Sequence, residues 1–430
     1  MQSATLLKLL KMPAAACGLA WATWAAPVHA QATETLTEWD IQVQPVPSRI
    51  VAEAQARFEK ANPQVKVVRS AILNDPYKTK IKIAFGANEP PCVFSSWGGG
   101  PLREYVRAGQ VTDLSPYLAK DEAFRERFVA SSFDTAKTDG KTYGVPAENT
   151  SLLVIYYNTE LFAKLKLQPP KTWPELLQAV ETLKANGVAP FALANKSKWP
   201  GSMFYMYLVD RIGGAEVFRK AADRAPGGSF ADPAFVEAGK RLQELVKAGA
   251  FAQGFNGLDY DIGSSRRLLY SGKAAMTLMG SWEGATIKNE NPEFSKKLDF
   301  FAFPSLPGGK SATGVVGTVG DNFYSISKAC KQPDLAFNLI KAMVDDTSVQ
   351  ARLADNRIVP IKGLKVTEPN QQRLMAMLAD SKSVQLWYDQ DLPPKLGELH
   401  KDLVQSLFAL SVTPEEAAQK METAAKAELH

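Results

Sequence analysis

The chain has 430 residues, of which 45% are hydrophobic and 22% charged, with 50 Lys and Arg against 45 Asp and Glu. This near-neutral balance, with basic residues interspersed among acids as at Lys240, Arg241 and Glu244, excludes the basic patch that a nucleic-acid-binding protein concentrates. The three histidines, His29, His400 and His430, are too few and too scattered for a Ser-His-Asp triad or a zinc site built on paired histidines.

The first thirty residues have the pattern of an export signal. Lys8 and Lys11 precede an apolar stretch over 14–26, and small residues lead to a predicted cleavage after Ala30. The stretch before Cys17 lacks a Leu-led lipobox, so we expect no lipid anchor. The sequence therefore predicts export to the periplasm and a mature chain of 48 basic and 45 acidic residues, long enough for two domains.

Strand and helix patterns alternate from the start of the mature chain. We predict strands over 36–42, 65–68 and 92–94, and helices from a Ser48 cap to before Asn62 and over 77–85. Gly98, Gly99 and Gly100 follow the third strand and permit a sharp turn beside a cleft.

The same alternation continues to the C-terminus. We predict strands over 152–157 and 323–326 and helices over 175–186, 233–248 and 333–344, with a last helix opened by Thr413 and Pro414. Strands alternating with helices indicate α/β layering rather than a bundle or a sandwich.

Cys92 and Cys330 remain after removal of the signal. An exported protein can form a disulfide between them, but spacing alone does not show that their Cα atoms come within reach. We expect two separate, buried thiols.

Several motifs resemble catalytic signatures without completing them. Gly140-Lys141-Thr142 lacks the glycine that a phosphate-binding loop needs five positions earlier, where Thr135 stands. The carboxylate pairs Asp259/Asp261 and Asp389/Asp391 are spaced two apart, which suits turns and caps better than a glycosidase site. We therefore expect no catalytic residue.

Seven stretches, in the same order along the chain, resemble the sugar-binding branch of the extracellular solute-binding proteins, family 1, which includes the maltose-binding protein. They are FEKANP at 58–63, AG at 108–109 with DL at 113–114, GKTYGVP at 140–146, YYNTELF at 156–162, KTWPEL at 171–176, GKAAM at 272–276 with GSW at 280–282, and TPEEA at 413–417. One departure is Cys92, which stands where the family often has Asp after two prolines.

The resemblance implies a type II-like periplasmic binding protein fold with two α/β lobes, each a β-sheet flanked by helices, joined by a multi-strand hinge. Lobe 1 would hold residues 35–145 and 315–360, and lobe 2 residues 146–314 and 361–430. Hinge closure would trap a sugar, for delivery to the membrane-embedded permease subunits of an ABC importer. The resemblance implies no cofactor and no metal, and we expect a monomer.

A sugar cleft needs aromatic rings for the C–H faces of the ligand and short polar side chains for its hydroxyls. Clusters of both kinds occur at predicted strand ends and loops. Several aromatic residues together indicate a site long enough for a disaccharide or larger. Trp173 is excluded, because it begins a helix and is expected to pack in the core. The predicted ligand-binding residues are Trp39, Asp40, Gln42, Ser96, Trp97, Glu148, Asn149, Trp199, Ser281, Trp282, Asp321, Asn322, Trp387 and Asp389.

Two other functions stay open on the sequence. A binder of a phosphorylated or acidic sugar would need cleft cations, for which Arg266 and Arg267 are the adjacent pair to consider. A secreted glycosidase would need two cleft carboxylates about 5 to 10 Å apart.

Overall fold

Strands and helices alternate along the chain, and most of the strands join into two sheets. The computed structural model describes residues 34–148 and 150–429. The predicted signal segment, residues 1–30, lies outside these residues. Within them, no helix combines the length and the apolar character that crossing a membrane requires.

The strands of the described residues are β1 (Glu34–Asp40), β2 (Val65–Ala71), β3 (Val93–Ser96), β4 (Lys137–Thr138), β5 (Lys141–Thr142), β6 (Val145–Glu148), β7 (Ser151–Asn158), β8 (Ala189–Phe191), β9 (Ala274–Gly280), β10 (Leu298–Phe301), β11 (Val315–Thr318), β12 (Asp321–Ile326) and β13 (Val384–Gln385).

The helices are α1 (Pro45–Ala61), α2 (Asn74–Gly86), α3 (Gly99–Arg107), α4 (Ser115–Lys120), α5 (Glu122–Glu126), α6 (Thr159–Lys164), α7 (Trp173–Ala185), α8 (Trp199–Gly213), α9 (Ala215–Ala222), α10 (Pro233–Lys247), α11 (Ser264–Tyr270), α12 (Trp282–Glu290), α13 (Pro292–Ser295), α14 (Pro333–Met343), α15 (Asp346–Ala354), α16 (Pro369–Ala379), α17 (Tyr388–Asp391), α18 (Pro394–Phe408) and α19 (Pro414–Glu428). Two further turns, Ala130–Ala136 and Phe255–Gly257, are 3-10 helices.

The first lobe is built on a five-stranded sheet in the order β2-β1-β3-β12-β6. β1 runs parallel to β2 and β3, whereas β12 runs antiparallel to both β3 and β6. One face packs on α1 and α14 through residues such as Val51 and Ile340. The other face packs on α2 through Tyr77 and Phe85. Each helix gives the sheet one apolar stripe, which is the arrangement of an α/β layer.

The second lobe is built on a six-stranded sheet in the order β13-β11-β7-β9-β8, with β10 paired to β7. Every residue of the central strand β7 is buried. Its core also takes in α7, α8, α10 and α18, among them Leu176, Leu208, Leu242 and Leu407. A strand covered on both faces reads as a continuous apolar run, which is why residues 152–157 predict it well.

Three segments connect the two sheets. β6, which ends at Glu148, leads into β7, which begins at Ser151. β11 leads into β12 at 319–320, and residues 355–361 return beside them, where the Thr150 N–H donates to the Ile358 carbonyl at 2.7 Å. Because Gly317 and Thr318 pair with Leu152 and Ser151 of β7, the second crossing lies at 319–320 rather than before Val315. The residue division into lobes otherwise stays a prediction.

Helix α1 begins one turn before the predicted Ser48 cap. It starts at Pro45, with Gln44 at the N-cap, because the fixed φ of proline suits the first helical turn. Ser48 lies inside the helix, and its hydroxyl and carbonyl oxygens accept hydrogen bonds from Arg69. By contrast, Thr172 and Thr413 both form complete capping boxes, with Glu175 and Glu416.

The prediction of two separate thiols is wrong. Cys92 and Cys330 form a disulfide with a Cα–Cα distance of 4.5 Å, although 238 residues separate them in sequence. The bond forms because β12 pairs antiparallel with β3. The start of β3 and the end of β12 therefore lie side by side at the same end of the sheet, with Ile326 opposite Val93. Spacing along the chain carries no information about this pairing.

The glycines after β3 allow two backbones to come unusually close. A Cβ at Gly99 would lie 2.1 Å from the carbonyl oxygen of Gln390, and one at Gly100 would lie 1.9 Å from that of Leu392. Gly99 also has a φ of 60°. These glycines let the start of α3 pack against α17 and α18 near the C-terminus.

We predict that Gly100→Ala lowers the free energy of unfolding by about 3 kcal/mol, because the added methyl group must displace the Leu392 backbone. Urea denaturation of the variant checks this. Gly257→Ala is the matched control, since nothing lies within 4 Å of its Cβ. Equal denaturation midpoints for the two variants would contradict the close approach.

Candidate functional site

A cleft lies between the two lobes. The first lobe contributes the segment after β1, the start of α2, the residue after β3 and the start of β12. The second lobe contributes α8, the loop before α11, α12 and the segment around α17. Its lining is Ile41, Gln42, Val43, Gln44, Leu73, Asn74, Lys78, Trp97, Trp199, Met203, Met206, Tyr260, Asp261, Arg266, Trp282, Thr286, Asp321, Asn322, Arg357, Trp387, Asp389 and Gln390.

Four aromatic rings of the second lobe form one wall of this cleft. Trp199 meets Tyr260 edge to face with ring centroids 4.8 Å apart, and the Trp199 and Trp282 centroids are 6.5 Å apart. Trp387 meets Trp282 edge to face at 5.9 Å. Trp97 lies in the cleft from the first lobe. The wall offers flat apolar surface in a setting that also has polar atoms.

The two central tryptophans stand at helix starts. We expected turns there, but Trp199 is the first residue of α8 and Trp282 the first residue of α12. Pro200 at the second helical position explains why α8 begins at Trp199. Met203 and Met206 follow on the same face of α8, four and seven residues on, and line the cleft beside Trp199.

A chain of hydrogen bonds holds the Trp282 ring in place. The Trp282 indole N–H donates to the Tyr260 hydroxyl at 3.0 Å, and that hydroxyl donates to Glu283 Oε2 at 2.6 Å. Glu283 is 1% exposed and lies 3.7 Å from the guanidinium of Arg266, which bonds Glu290 at 2.8 Å. The position of one wall residue is thus set by buried charges behind it.

The protonation of Tyr260 fits its role as a donor. Burial, followed by the negative charge of Glu283, raises the pKa of Tyr260 well above its usual value. The hydroxyl therefore keeps its proton at neutral pH and donates a hydrogen bond to Glu283.

Asp321 begins β12 beside the second crossing and faces the cleft. It is 5% exposed, and burial raises the pKa of its carboxyl to about 7. The neighbouring Asn322 N–H donates to its Oδ1 at 3.0 Å and favours the charged form. At neutral pH this carboxyl can donate or accept a hydrogen bond, depending on its protonation.

Four buried polar atoms of lining residues have no hydrogen-bond partner among the described residues. They are the indole nitrogen of Trp199, Nη1 of Arg266, the amide oxygen of Asn322 and the amide oxygen of Gln390. Two are donors and two are acceptors. Leaving such groups unpaired costs about 1 to 3 kcal/mol each, so a bound molecule with hydroxyl groups would recover this energy.

The structure brings eight of the fourteen predicted residues together in the lining. They are Gln42, Trp97, Trp199, Trp282, Asp321, Asn322, Trp387 and Asp389. Asn149 lies outside the described residues. The remaining five, Trp39, Asp40, Ser96, Glu148 and Ser281, do not line the cleft.

Trp39 and Asp40 lie beside the cleft rather than in it. The ammonium of Lys80 covers the Trp39 ring at 4.4 Å from its centroid. Asp40 is fully buried and bonds Arg69 at 2.6 Å. The side chains at the end of β1 thus serve the first lobe itself, and the cleft begins at residue 41.

Ser96 and Ser281 are used inside the fold. Ser96 shares a hydrogen bond with Ser325 of the neighbouring strand at 3.1 Å. The Ser281 hydroxyl lies 3.4 Å from both the Leu152 nitrogen and the Thr150 carbonyl. The hydrogen-bonding partners of both serine hydroxyls are thus groups within the fold.

Glu148 ends β6 at the first crossing and is 2% exposed. Its oxygens accept hydrogen bonds from Gln42 at 2.9 Å, Arg352 at 3.3 Å and Arg357 at 3.2 Å. This carboxylate reaches the cleft only through Gln42 and Arg357, which both line it.

The residues considered for the two other functions are separated or compensated. In each carboxylate pair only one member, Asp261 or Asp389, lines the cleft. Arg266 is 2% exposed and paired with glutamates, whereas Arg267 is exposed and donates to the Ile262 carbonyl.

Sequence reasoning missed several lining residues. Tyr260 stands between Asp259 and Asp261, and an aromatic residue flanked by two carboxylates is a signal that could have identified it as a lining residue. Met203 and Met206 repeat the helical spacing that starts at Trp199. Lys78 and Gln390 carry no comparable signal. Over residues 34–148 and 150–429, no group of three or more His, Cys, Asp and Glu is placed to hold a metal ion.

Comparison with known proteins agrees with this architecture. The profile of the family described as bacterial extracellular solute-binding protein matches residues 42–350. A multiple sugar-binding protein of Streptococcus mutans is 26% identical over 77% of this chain and 77% of its own length. The chain spans 61% to 77% of the lengths of eight curated relatives.

Two solved structures resemble the whole described fold. One, from work on xylan utilization by the thermophilic bacterium Caldanaerobius polysaccharolyticus, is 33% identical with a TM-score of 0.85, over 91% of this chain and 99% of that one. The other, a chitin oligosaccharide binding protein, is 26% identical with a TM-score of 0.82, over 92% and 98% of the two chains.

We predict that Tyr260→Phe lowers the free energy of unfolding by about 1 to 3 kcal/mol, because the Trp282 N–H and a Glu283 oxygen both lose their partner. Chemical denaturation measures the loss. Tyr270→Phe is the matched control, since its hydroxyl also bonds a glutamate, Glu290, at 2.8 Å but outside the cleft and near solvent. Similar losses in both variants would contradict a special role for the buried chain.

We predict a pH-dependent stability difference between the wild type and Asp321→Asn. The unfolded carboxyl loses its proton near pH 4 and the folded one near pH 7, so the stabilisation from its protonated form is present below pH 4 and lost as the pH rises to about 7. The free energy of unfolding of the variant, relative to wild type, should therefore rise between about pH 4 and pH 7 and stay level above it. A difference that does not change with pH would contradict the raised pKa.

Proposed function

The chain belongs to the bacterial extracellular solute-binding protein family, and we propose that it captures a neutral oligosaccharide between its two lobes and delivers it to the permease subunits of an ABC importer. The names of its relatives support the choice of ligand, since they include a multiple sugar-binding protein and a chitin oligosaccharide binding protein. The spread of three tryptophans along the wall, with neighbouring ring centroids 6.5 Å and 5.9 Å apart, supports a ligand longer than a single sugar ring.

The observation that carries the proposal is the pairing of an aromatic wall with unpartnered polar atoms. The rings of Trp199, Trp282 and Trp387 suit the C–H faces of sugar rings, with Trp97 facing them from the first lobe. The unpaired indole N–H of Trp199 and amide oxygen of Asn322 suit hydroxyl groups, which both accept and donate.

The two arginines that line the cleft are paired with carboxylates, which favours a neutral ligand over an anionic one. Arg266 is neutralised by Glu290 and Glu283, and Arg357 bonds both Glu148 and Asp355. A phosphorylated or acidic sugar would have to compete with these buried carboxylates for the guanidinium groups. A charged ligand therefore serves as the contrasting arm of the binding experiment.

The proposal is of binding without chemistry. The proposed function needs no catalytic residue, cofactor, metal or nucleic-acid partner. The protein acts as a monomer. The proposal also includes export to the periplasm with removal of residues 1–30 after Ala30. Any change in a sugar incubated with the protein would contradict it.

A thermal-shift screen tests the ligand class. The panel is xylotriose, chitotriose, raffinose and maltotriose, with glycerol 3-phosphate as the charged arm. A sugar at 100 times its dissociation constant adds about 2.7 kcal/mol to stability, so binding gives a clear rise in melting temperature. A rise in melting temperature with glycerol 3-phosphate alone would show that the ligand is phosphorylated and not a neutral sugar. Hydrolysis of a panel sugar, detected by chromatography, would show that the protein is a glycosidase.

We predict that Trp282→Ala weakens binding of the stabilising sugar by about 1 to 3 kcal/mol through lost ring contact, while the protein still folds. Isothermal titration calorimetry measures the affinity. Trp39→Ala is the matched control, because its ring is covered by Lys80 outside the cleft, and its affinity should stay at the wild-type value. Unchanged binding by Trp282→Ala would reject the aromatic wall as the sugar site.

A further inference from the structure

Helix α2 of the first lobe begins at the edge of the cleft without a cap of its own. The residue at its N-cap is Leu73, whose side chain accepts no hydrogen bond. Pro76 has no N–H, and the N–H of Tyr77 is satisfied by the Leu73 carbonyl at 2.8 Å. The N–H groups of a first helical turn have no acceptor within the helix, so that of Asp75 needs one from elsewhere.

The acceptor for Asp75 comes from the opposite lobe. Its backbone N–H donates to Oδ2 of Asp261 at 2.9 Å, across 186 residues of sequence. Asp261 lies in the loop before α11 of the second lobe, and its side chain lines the cleft. A carboxylate at a helix N-terminus is stabilised by the aligned backbone dipoles as well as by the hydrogen bond.

The loop that carries Asp261 is held in place from behind. The Asp261 N–H donates to Asp259 Oδ1 at 3.0 Å, and Lys196 bonds the other oxygen of Asp259 at 3.1 Å. The Gly263 N–H donates to the Tyr260 carbonyl at 2.9 Å. The carboxylate of Asp261 is therefore presented by a fixed turn of the second lobe.

A second contact across the cleft starts one turn further along α2. The ammonium of Lys78 lies 5.2 Å from the ring centroid of Trp97 in its own lobe and 5.9 Å from that of Trp199 in the second lobe. The Asp75–Asp261 hydrogen bond and the Lys78–Trp199 contact both require the first two turns of α2 to lie close to the second lobe. Neither contact can form when the lobes are apart.

We propose that Asp261 is a closure latch, a positioning residue that caps α2 from the opposite lobe and so stabilises the sugar-bound, closed arrangement. This inference rests on the proposed function. A group that stabilises the closed state raises the apparent affinity by raising the fraction of protein able to retain the sugar, and it acts mainly by slowing dissociation.

Asp75→Pro removes the donor and leaves the Asp261 carboxylate in the cleft. Proline is tolerated in a first helical turn, where its missing N–H has no helical acceptor. Asp75→Ala is the matched control, since it removes the Asp75 carboxylate but keeps the N–H. The measured quantities are the dissociation constant and the dissociation rate of whichever of xylotriose, chitotriose, raffinose and maltotriose stabilises the wild type most.

We expect Asp75→Pro and Asp261→Ala each to raise the dissociation constant about 3- to 30-fold, mainly through faster dissociation, and Asp75→Ala to leave it unchanged. The double variant Asp75→Pro/Asp261→Ala should lose no more than Asp261→Ala alone, because both changes remove one interaction. If Asp261→Ala weakens binding but a folded Asp75→Pro binds as wild type, Asp261 is a direct sugar contact and the latch is overturned.

A second measurement keeps the inference testable if Asp75→Pro does not fold. A pair of fluorescent labels, one in each lobe, reports the interlobe distance at saturating sugar. A latch variant, Asp261→Ala, should retain a more open population than wild type even at saturation, whereas loss of a mere sugar contact should leave the saturated protein fully closed. If no panel sugar binds the wild type, the proposed function fails and the latch falls with it; if the wild type binds and both variants close and bind normally, only the latch fails.

Discussion

The buried carboxylate of Glu148 is the constraint on which the cleft depends. It ends β6 where the chain leaves the first sheet, and it is 2% exposed. Burying such a charge costs several kcal/mol unless it is paired, and Arg352 and Arg357 supply the pairing from more than 200 residues away. The first and third crossings are thereby tied together, and Gln42, which bonds the same carboxylate, is held at the cleft wall.

The two lobes contribute different things to the cleft. The second lobe supplies most of the aromatic surface, from the first residues of α8 and α12 and from Trp387, with the Tyr260–Glu283 chain fixing one ring from behind. The first lobe supplies Trp97 and the open end of α2. Ring orientation is thus set within one lobe, while the contacts that α2 makes across the cleft depend on the approach of the two lobes.

The covalent brace of the fold lies within one lobe. The Cys92–Cys330 disulfide joins the start of β3 to the segment after β12, and both belong to the first lobe. It restricts the unfolded chain over a long loop without linking the lobes. The first two crossings are also adjacent, since Glu148 and Asp321 stand opposite each other in neighbouring strands.

Local signals in the sequence determined the strand and helix order, because strand burial, capping boxes such as Thr172 with Glu175, and helical apolar spacing act within a few residues. They also indicated the general composition of the cleft, aromatic rings beside short polar groups. Only the tertiary structure decided which rings face it: Trp199 and Trp282 do, while Trp39 lies under Lys80. The same holds for the pairing of Cys92 with Cys330 and of Asp75 with Asp261, since these contacts depend on how distant segments pack and not on the residues that flank them.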